Sequence, residues 1–154
     1  MIGGLLITVL LAFLFLFFSR DSSAPTLESL KAFDRDRNGV WDDLDPYILE
    51  KSTTENEKKA LTFFIHQYQR LLLNPDLALD VRNETGREDV FGRGRECFVR
   101  VYGEENPRLK AFEVRDKILN SRARMTAWIH YSQKLSGAIL HGWAEKTQGN
   151  PCPF

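Results

Sequence analysis

Two hydrophobic patterns divide this chain. Residues 2–18, IGGLLITVLLAFLFLFF, carry no charge, and the first charged side chain is Arg20. From Pro25 onward the apolar positions recur at helical spacing, interrupted by polar punctuation. Residues 25–33 predict a short helix with Pro in its first turn and Leu27, Leu30 and Phe33 along one side. Residues 44–51 predict another, with Pro46 still in the first turn, where its missing N–H costs nothing. Thr54-x-x-Glu57 is a capping-box pattern, and it opens the clearest helix of the chain. There Leu61, Phe64, Ile65, Tyr68, Leu71 and Leu72 form one apolar stripe, and Asn74-Pro75 ends it.

The second half is less regular. Residues 76–87 are ambiguous, with a turn-like stretch at 83–86. In 88–102, Val90, Gly94, Cys97, Phe98 and Val101 keep helical spacing, although the alternation Cys97, Val99, Val101 would also suit a strand. Gly103 is the expected stop. Pro107 opens a helix through about Leu119, with Leu109, Phe112 and Leu119 expected inside. Asn120 or Ser121 caps the last long helix, whose inner face is expected to be Met125, Trp128, Ile129, Ser132 and Leu135, ending at Gly137. The tail, 148–153, reads as irregular. With no internal repeat, the expected fold class is a small all-α domain at 19–154, preceded by an N-terminal hydrophobic helix at 1–18.

Seventeen uncharged residues rise about 25 Å as a helix, between the length of a signal-peptide core and that of a membrane span. No Lys or Arg precedes the run, and the small-x-small triplet at 22–24 is followed by Pro25. Residues 2–18 are therefore expected to engage a membrane as a retained anchor, with a cleaved signal as the alternative. The remaining 136 residues suffice for one core.

Charge narrows the partners. The 21 Lys and Arg balance the 21 Asp and Glu, which argues against a nucleic-acid partner. Residues 87–134 are locally basic, with eleven Lys or Arg against seven Asp or Glu. A solvated helical surface accounts for that more simply than a lipid-facing patch.

One segment carries specific chemistry. Residues 34–45 read DRDRNGVWDDLD. Side-chain oxygens fall at positions 1, 3 and 5 (Asp34, Asp36, Asn38), and Gly39 occupies position 6, where the loop must turn sharply. Val40 at position 7 would offer its backbone carbonyl, Asp42 stands at 9 and Asp45 at 12. A hard cation such as Ca²⁺ takes six to eight oxygens from a pliable cage. The alternative is an Asp-rich turn that caps its flanking helices without a metal. The spacing resembles the EF-hand calcium loop, and more closely its dockerin-type variant, which also uses Asp at the last position. That resemblance covers about residues 26–51. It implies a helix–loop–helix frame, an apolar residue facing the core at position 8 (Trp41), and Ca²⁺ held by Asp34, Asp36, Asn38, Val40, Asp42 and Asp45. Five Asp against two Arg leave the loop at −3. The short Asp45 and the nearby Arg35 and Arg37, whose side chains should point outward, set the expected affinity at roughly 10⁻⁵–10⁻³ M. EF-hand loops ordinarily pair; the only other candidate loop, 76–86, lacks the spacing, which leaves a structural brace or pairing across a homodimer.

The two cysteines, Cys97 and Cys152, form no C-x-x-C motif. In an exported domain they are expected to form a disulfide; the alternative is one buried and one exposed thiol. His66, His130 and His141 show no zinc-ligand spacing, and His66 is expected at the surface. No nucleophile–base set, paired catalytic carboxylates or cofactor loop is legible, so an enzyme is not expected. The leading expectation is a membrane-anchored or exported calcium-binding protein, its bulk outside the cytoplasm. The alternative is a calcium-ordered, dockerin-like module that docks a protein partner.

Overall fold

The computed structural model describes residues 30, 33–77, 90–103, 106, 109–137 and 149–154. Among them are five helices and no strand: α1 (Asp45–Lys51), α2 (Glu55–Leu73), α3 (Val90–Tyr102), α4 (Ala111–Ile118) and α5 (Arg122–Lys134). The fold class is all-α. The hydrophobic run 2–18 lies outside the described residues, as do Leu27, His141 and the stretch 78–89. Among the described residues no helix is long and apolar enough to cross a membrane.

Helix α2 is the centre, packed against each of the other four. Its start is fixed locally. The Thr54 hydroxyl accepts from the Glu57 N–H at 3.1 Å, and Glu57 Oε2 accepts from the N–H groups of Thr53 (2.6 Å) and Thr54 (3.2 Å). The expected stripe is buried in full: Leu61, Phe64, Ile65, Tyr68, Leu71 and Leu72 are each at most 3% exposed. Phe64 stacks on Phe98 of α3 and meets Tyr68 edge-on, at ring distances of 5.0 and 5.2 Å. Phe98 in turn stacks on Tyr102. The Tyr102 hydroxyl reaches the carbonyls of Lys51 (3.3 Å) and Glu57 (3.2 Å) at the junction of α1 and α2.

Residues 90–102 are helical, not a strand, and α3 approaches α2 closely at Gly94. A Cβ there would lie 2.9 Å from Gln67 Cγ and 3.0 Å from Gln67 Cβ, so the missing side chain lets the two helices meet. Cys97, wholly buried on the same face, is disulfide-bonded to Cys152 with Cα atoms 4.9 Å apart. That bond, together with Arg93 Nε donating to the Pro151 carbonyl at 3.1 Å, ties the irregular tail to α3.

Three burial expectations are corrected. Phe33 is 75% exposed, although Leu30 is buried as expected. In α4 it is Val114 and Ile118 that point inward, while Phe112 is half exposed; Leu109 and Leu119 are buried. In α5 the inner face is Arg124, Ala127 and Tyr131, with Trp128 and Leu135 partly covered; Met125, Ile129 and Ser132 face outward. Helix α5 is only weakly amphipathic, so its neighbours select the face. Tyr68 of α2 meets Trp128 at 5.4 Å, and Arg124 has a partner in the acidic loop.

Candidate metal centre

The acidic loop runs from Phe33 to Leu44 and enters α1 at Asp45, which with Pro46 forms that helix's first turn. Two residues turn the chain through the left-handed region, Arg37 (φ 58°) and Gly39 (φ 85°). Glycine takes that conformation freely; arginine takes it at a cost. The turn closes with the Asp42 N–H donating to the Phe33 carbonyl at 2.7 Å.

One carboxylate oxygen each from Asp34, Asp36 and Asp42 lies within 4.8 Å of the others. Asp34 and Asp42 are partly buried and Asp36 is exposed. Asp34 Oδ2 accepts from the Gly39 N–H at 3.1 Å, while its Oδ1 is buried and has no hydrogen-bond partner among the described residues. A buried carboxylate oxygen left unsatisfied is costly. Asp42 accepts from the Arg35 N–H at 2.8 Å, and the Arg35 guanidinium lies 3.5 Å from its other oxygen. The Arg35 side chain, though 81% exposed, thus leans on a candidate ligand instead of pointing cleanly away.

Asn38 and Asp45 are placed differently. Asn38 Oδ1 accepts from the Val40 N–H at 2.7 Å, which sets the amide's orientation. Its Nδ2 then donates to Asp36 at 2.9 Å and Asp45 at 3.0 Å. Asp45 therefore joins the loop through the Asn38 amide and lies outside the close group of three.

The loop is held from behind by residues that the spacing did not reveal. Gln69 of α2, only 4% exposed, donates from Nε2 to the Gly39 carbonyl and accepts at Oε1 from the Trp41 N–H, both at 3.3 Å. Trp41 is buried, as its loop position implied, and the Arg124 guanidinium lies 3.9 Å over its ring. Arg124 also forks onto Asp43 with bonds of 2.8 and 2.9 Å, and Asn120 donates to the same carboxylate at 3.2 Å. Nothing local marks Arg124 as a core residue; it is one basic residue among many. Gln69 offers a faint signal, a polar residue directly beside the apolar stripe of α2.

His66 is half-buried, not at the surface. A Cβ on Gly39 would lie 3.5 Å from its ring, and the ring lines a cavity of about 220 Å³ with Asp34, Trp41 and Gln69. Burial lowers the His66 pKa and the Arg70 charge lowers it further, partly opposed by the Asp34 carboxylate.

Burial alone would raise the Asp43 carboxyl. The hydrogen bonds from Arg124 and Asn120 and the Arg124 charge outweigh that and hold it below the ordinary carboxylate value. Asp43→Asn is expected to destabilise the protein by about 1–2 kcal/mol at neutral pH, because Arg124 stays buried beside a weaker acceptor. That is less than for a fully enclosed pair, since Asp43 is 37% exposed. A carboxyl whose pKa is depressed by folding stabilises above its unfolded pKa, and that contribution fades as pH falls through the folded value. The gap between wild type and Asp43→Asn should therefore close below about pH 4, as read by denaturant melts across pH.

The three carboxylates fit a single hard cation. An ion that holds oxygens at roughly 2.3–2.6 Å spans roughly 4.6–5.2 Å between opposite ligands, which accommodates the observed separations. All the ligand candidates are oxygens, the donor type that hard cations prefer. Comparison of the chain with family models, curated proteins and solved structures finds no match.

Proposed function

We propose that this chain is a calcium-binding protein with one structural site in the loop 34–45. Asp34, Asp36 and Asp42 form its nucleus, and Asn38, the Val40 carbonyl and Asp45 complete the ligand set. The observation that carries this is the convergence of the Asp34, Asp36 and Asp42 carboxylates, with Asp34 Oδ1 buried and without a hydrogen-bond partner among the described residues. Bound calcium would supply charge neutralisation and a rigid link between the loop and α1. No chemistry on a substrate follows from that role, and the chain is read as a binding protein and not an enzyme. The Cys97–Cys152 disulfide fits an oxidising compartment. That compartment supports placing the bulk of the chain outside the cytoplasm, with residues 2–18 engaging the membrane; there calcium is abundant enough to fill a weak site.

The test is thermal unfolding with and without calcium, paired with calorimetric titration. For a dissociation constant near 10⁻⁴ M, 2 mM calcium should stabilise by about 2 kcal/mol and raise Tm by several degrees. Asp34→Ala should abolish that increment. Magnesium should give a smaller one, because it surrenders its water reluctantly. A wild-type Tm indifferent to millimolar calcium would remove the proposal.

A further inference from the structure

We propose that Gln69 is a positioning residue for this centre, which aims the Val40 carbonyl at the cation; the proposal rests on the calcium reading above. Gln69 lies outside the loop, on α2, 28 residues beyond Trp41. Its amide orientation is dictated by its partners, since a carbonyl accepts only from Nε2 and an N–H donates only to Oε1. The geometry follows from one peptide plane. The Val40 carbonyl and the Trp41 N–H belong to the same peptide unit, and the described residues contain no cis bond. In a trans peptide the C=O and N–H point in opposite directions. With the Trp41 N–H held on Gln69 Oε1, the Val40 carbonyl faces away from α2.

Two further contacts limit the alternatives. The Val40 N–H is directed to Asn38 Oδ1 within the acidic loop, and the Gly39 carbonyl is held by Gln69 Nε2. The peptide units before and after Val40 are thus both anchored, and the Val40 side chain is wholly buried. The carbonyl is set before a cation arrives, so little ordering remains to oppose its binding. Gln69 is itself buried and does not touch the cation, so its effect on affinity would pass entirely through the backbone.

The full-length chain labelled with [¹⁵N]tryptophan gives a direct readout, because only three tryptophans contribute signals. A cation on the Val40 carbonyl polarises that peptide, so the Trp41 amide nitrogen should move downfield as calcium is added. Gln69→Leu removes both contacts and should weaken calcium binding about tenfold, with the Trp41 displacement reduced. Gln69→Glu keeps an acceptor for the Trp41 N–H and should retain the displacement; loss of the displacement in that variant would overturn the proposal, even if Gln69→Leu does not fold. Calorimetric binding by wild type with a stationary Trp41 nitrogen would overturn the role of Gln69 and leave the calcium site standing. Binding by Gln69→Leu as tight as that of wild type would do the same. Absence of calorimetric binding by wild type would remove both.

Discussion

Reduction of the Cys97–Cys152 disulfide should cost this protein about 4 kcal/mol of stability. The bond closes a loop of 55 residues, and opening it restores to the unfolded chain the conformational entropy that the cross-link had removed. Stability for a small domain is commonly about 5–15 kcal/mol, so the loss is a large share of the whole. The folded state is affected as well. Cys97 sits in the core beside Phe98, whereas the tail at 149–154 has no regular structure of its own. Without the bond, the contacts left to the tail include Arg93 on the Pro151 carbonyl and Lys59 over the Phe154 ring. These are single polar and cation–π contacts, each contributing little. Calcium-free denaturant unfolding with and without reductant would measure the difference, and proteolysis should trim the reduced tail first. An unchanged unfolding midpoint would refute the stabilising role. Two titratable thiols in protein isolated without reductant would refute the bond itself and weaken the extracytoplasmic placement.

Phe64→Ala should be comparably damaging, at about 3–5 kcal/mol. Phe64 is wholly buried at the centre of α2, stacked on Phe98 and edge-on to Tyr68. Truncation removes the ring's burial and both aromatic contacts. The space it leaves is flanked by helices that cannot easily close, since α3 is already in contact with Gln67 through Gly94. Denaturant melts should show a lower midpoint. A conservative Phe64→Leu should recover much of the loss, because it refills most of the volume. If Phe64→Ala unfolds at the wild-type midpoint, the α2–α3 seam is not the centre of the fold.

Signals confined to one stretch of chain proved legible in the sequence. The Thr54–Glu57 capping box and the apolar stripe that follows it are both present, because each is fixed within a few turns of one helix. The loop spacing likewise identified Asp34, Asp36 and Asp42, because alternate residues around a turn converge through local geometry. The helical spacing of 90–102 outweighed its alternation, as Gly94, Cys97 and Phe98 share one buried face.

What only the tertiary structure decided has its cause elsewhere in the chain. Periodicity says that a face exists, not which residues a neighbour will cover. Helix α5 buries Arg124, Ala127 and Tyr131 instead of Met125 and Ile129 because Asp43, 81 residues from Arg124, provides a carboxylate on that side. Asp45 is drawn onto the Asn38 amide and away from the three converging carboxylates, a competition between hydrogen bonds that spacing does not record. The Gln69 contact with the loop arises only when α2 lies against Gly39 and Trp41. Sequence by itself thus determined the central helix α2, the helical state of 90–102 and the convergence of Asp34, Asp36 and Asp42. The buried faces of α4 and α5 and the supports that hold the loop were decided by packing, because each depends on groups that meet only in the folded chain.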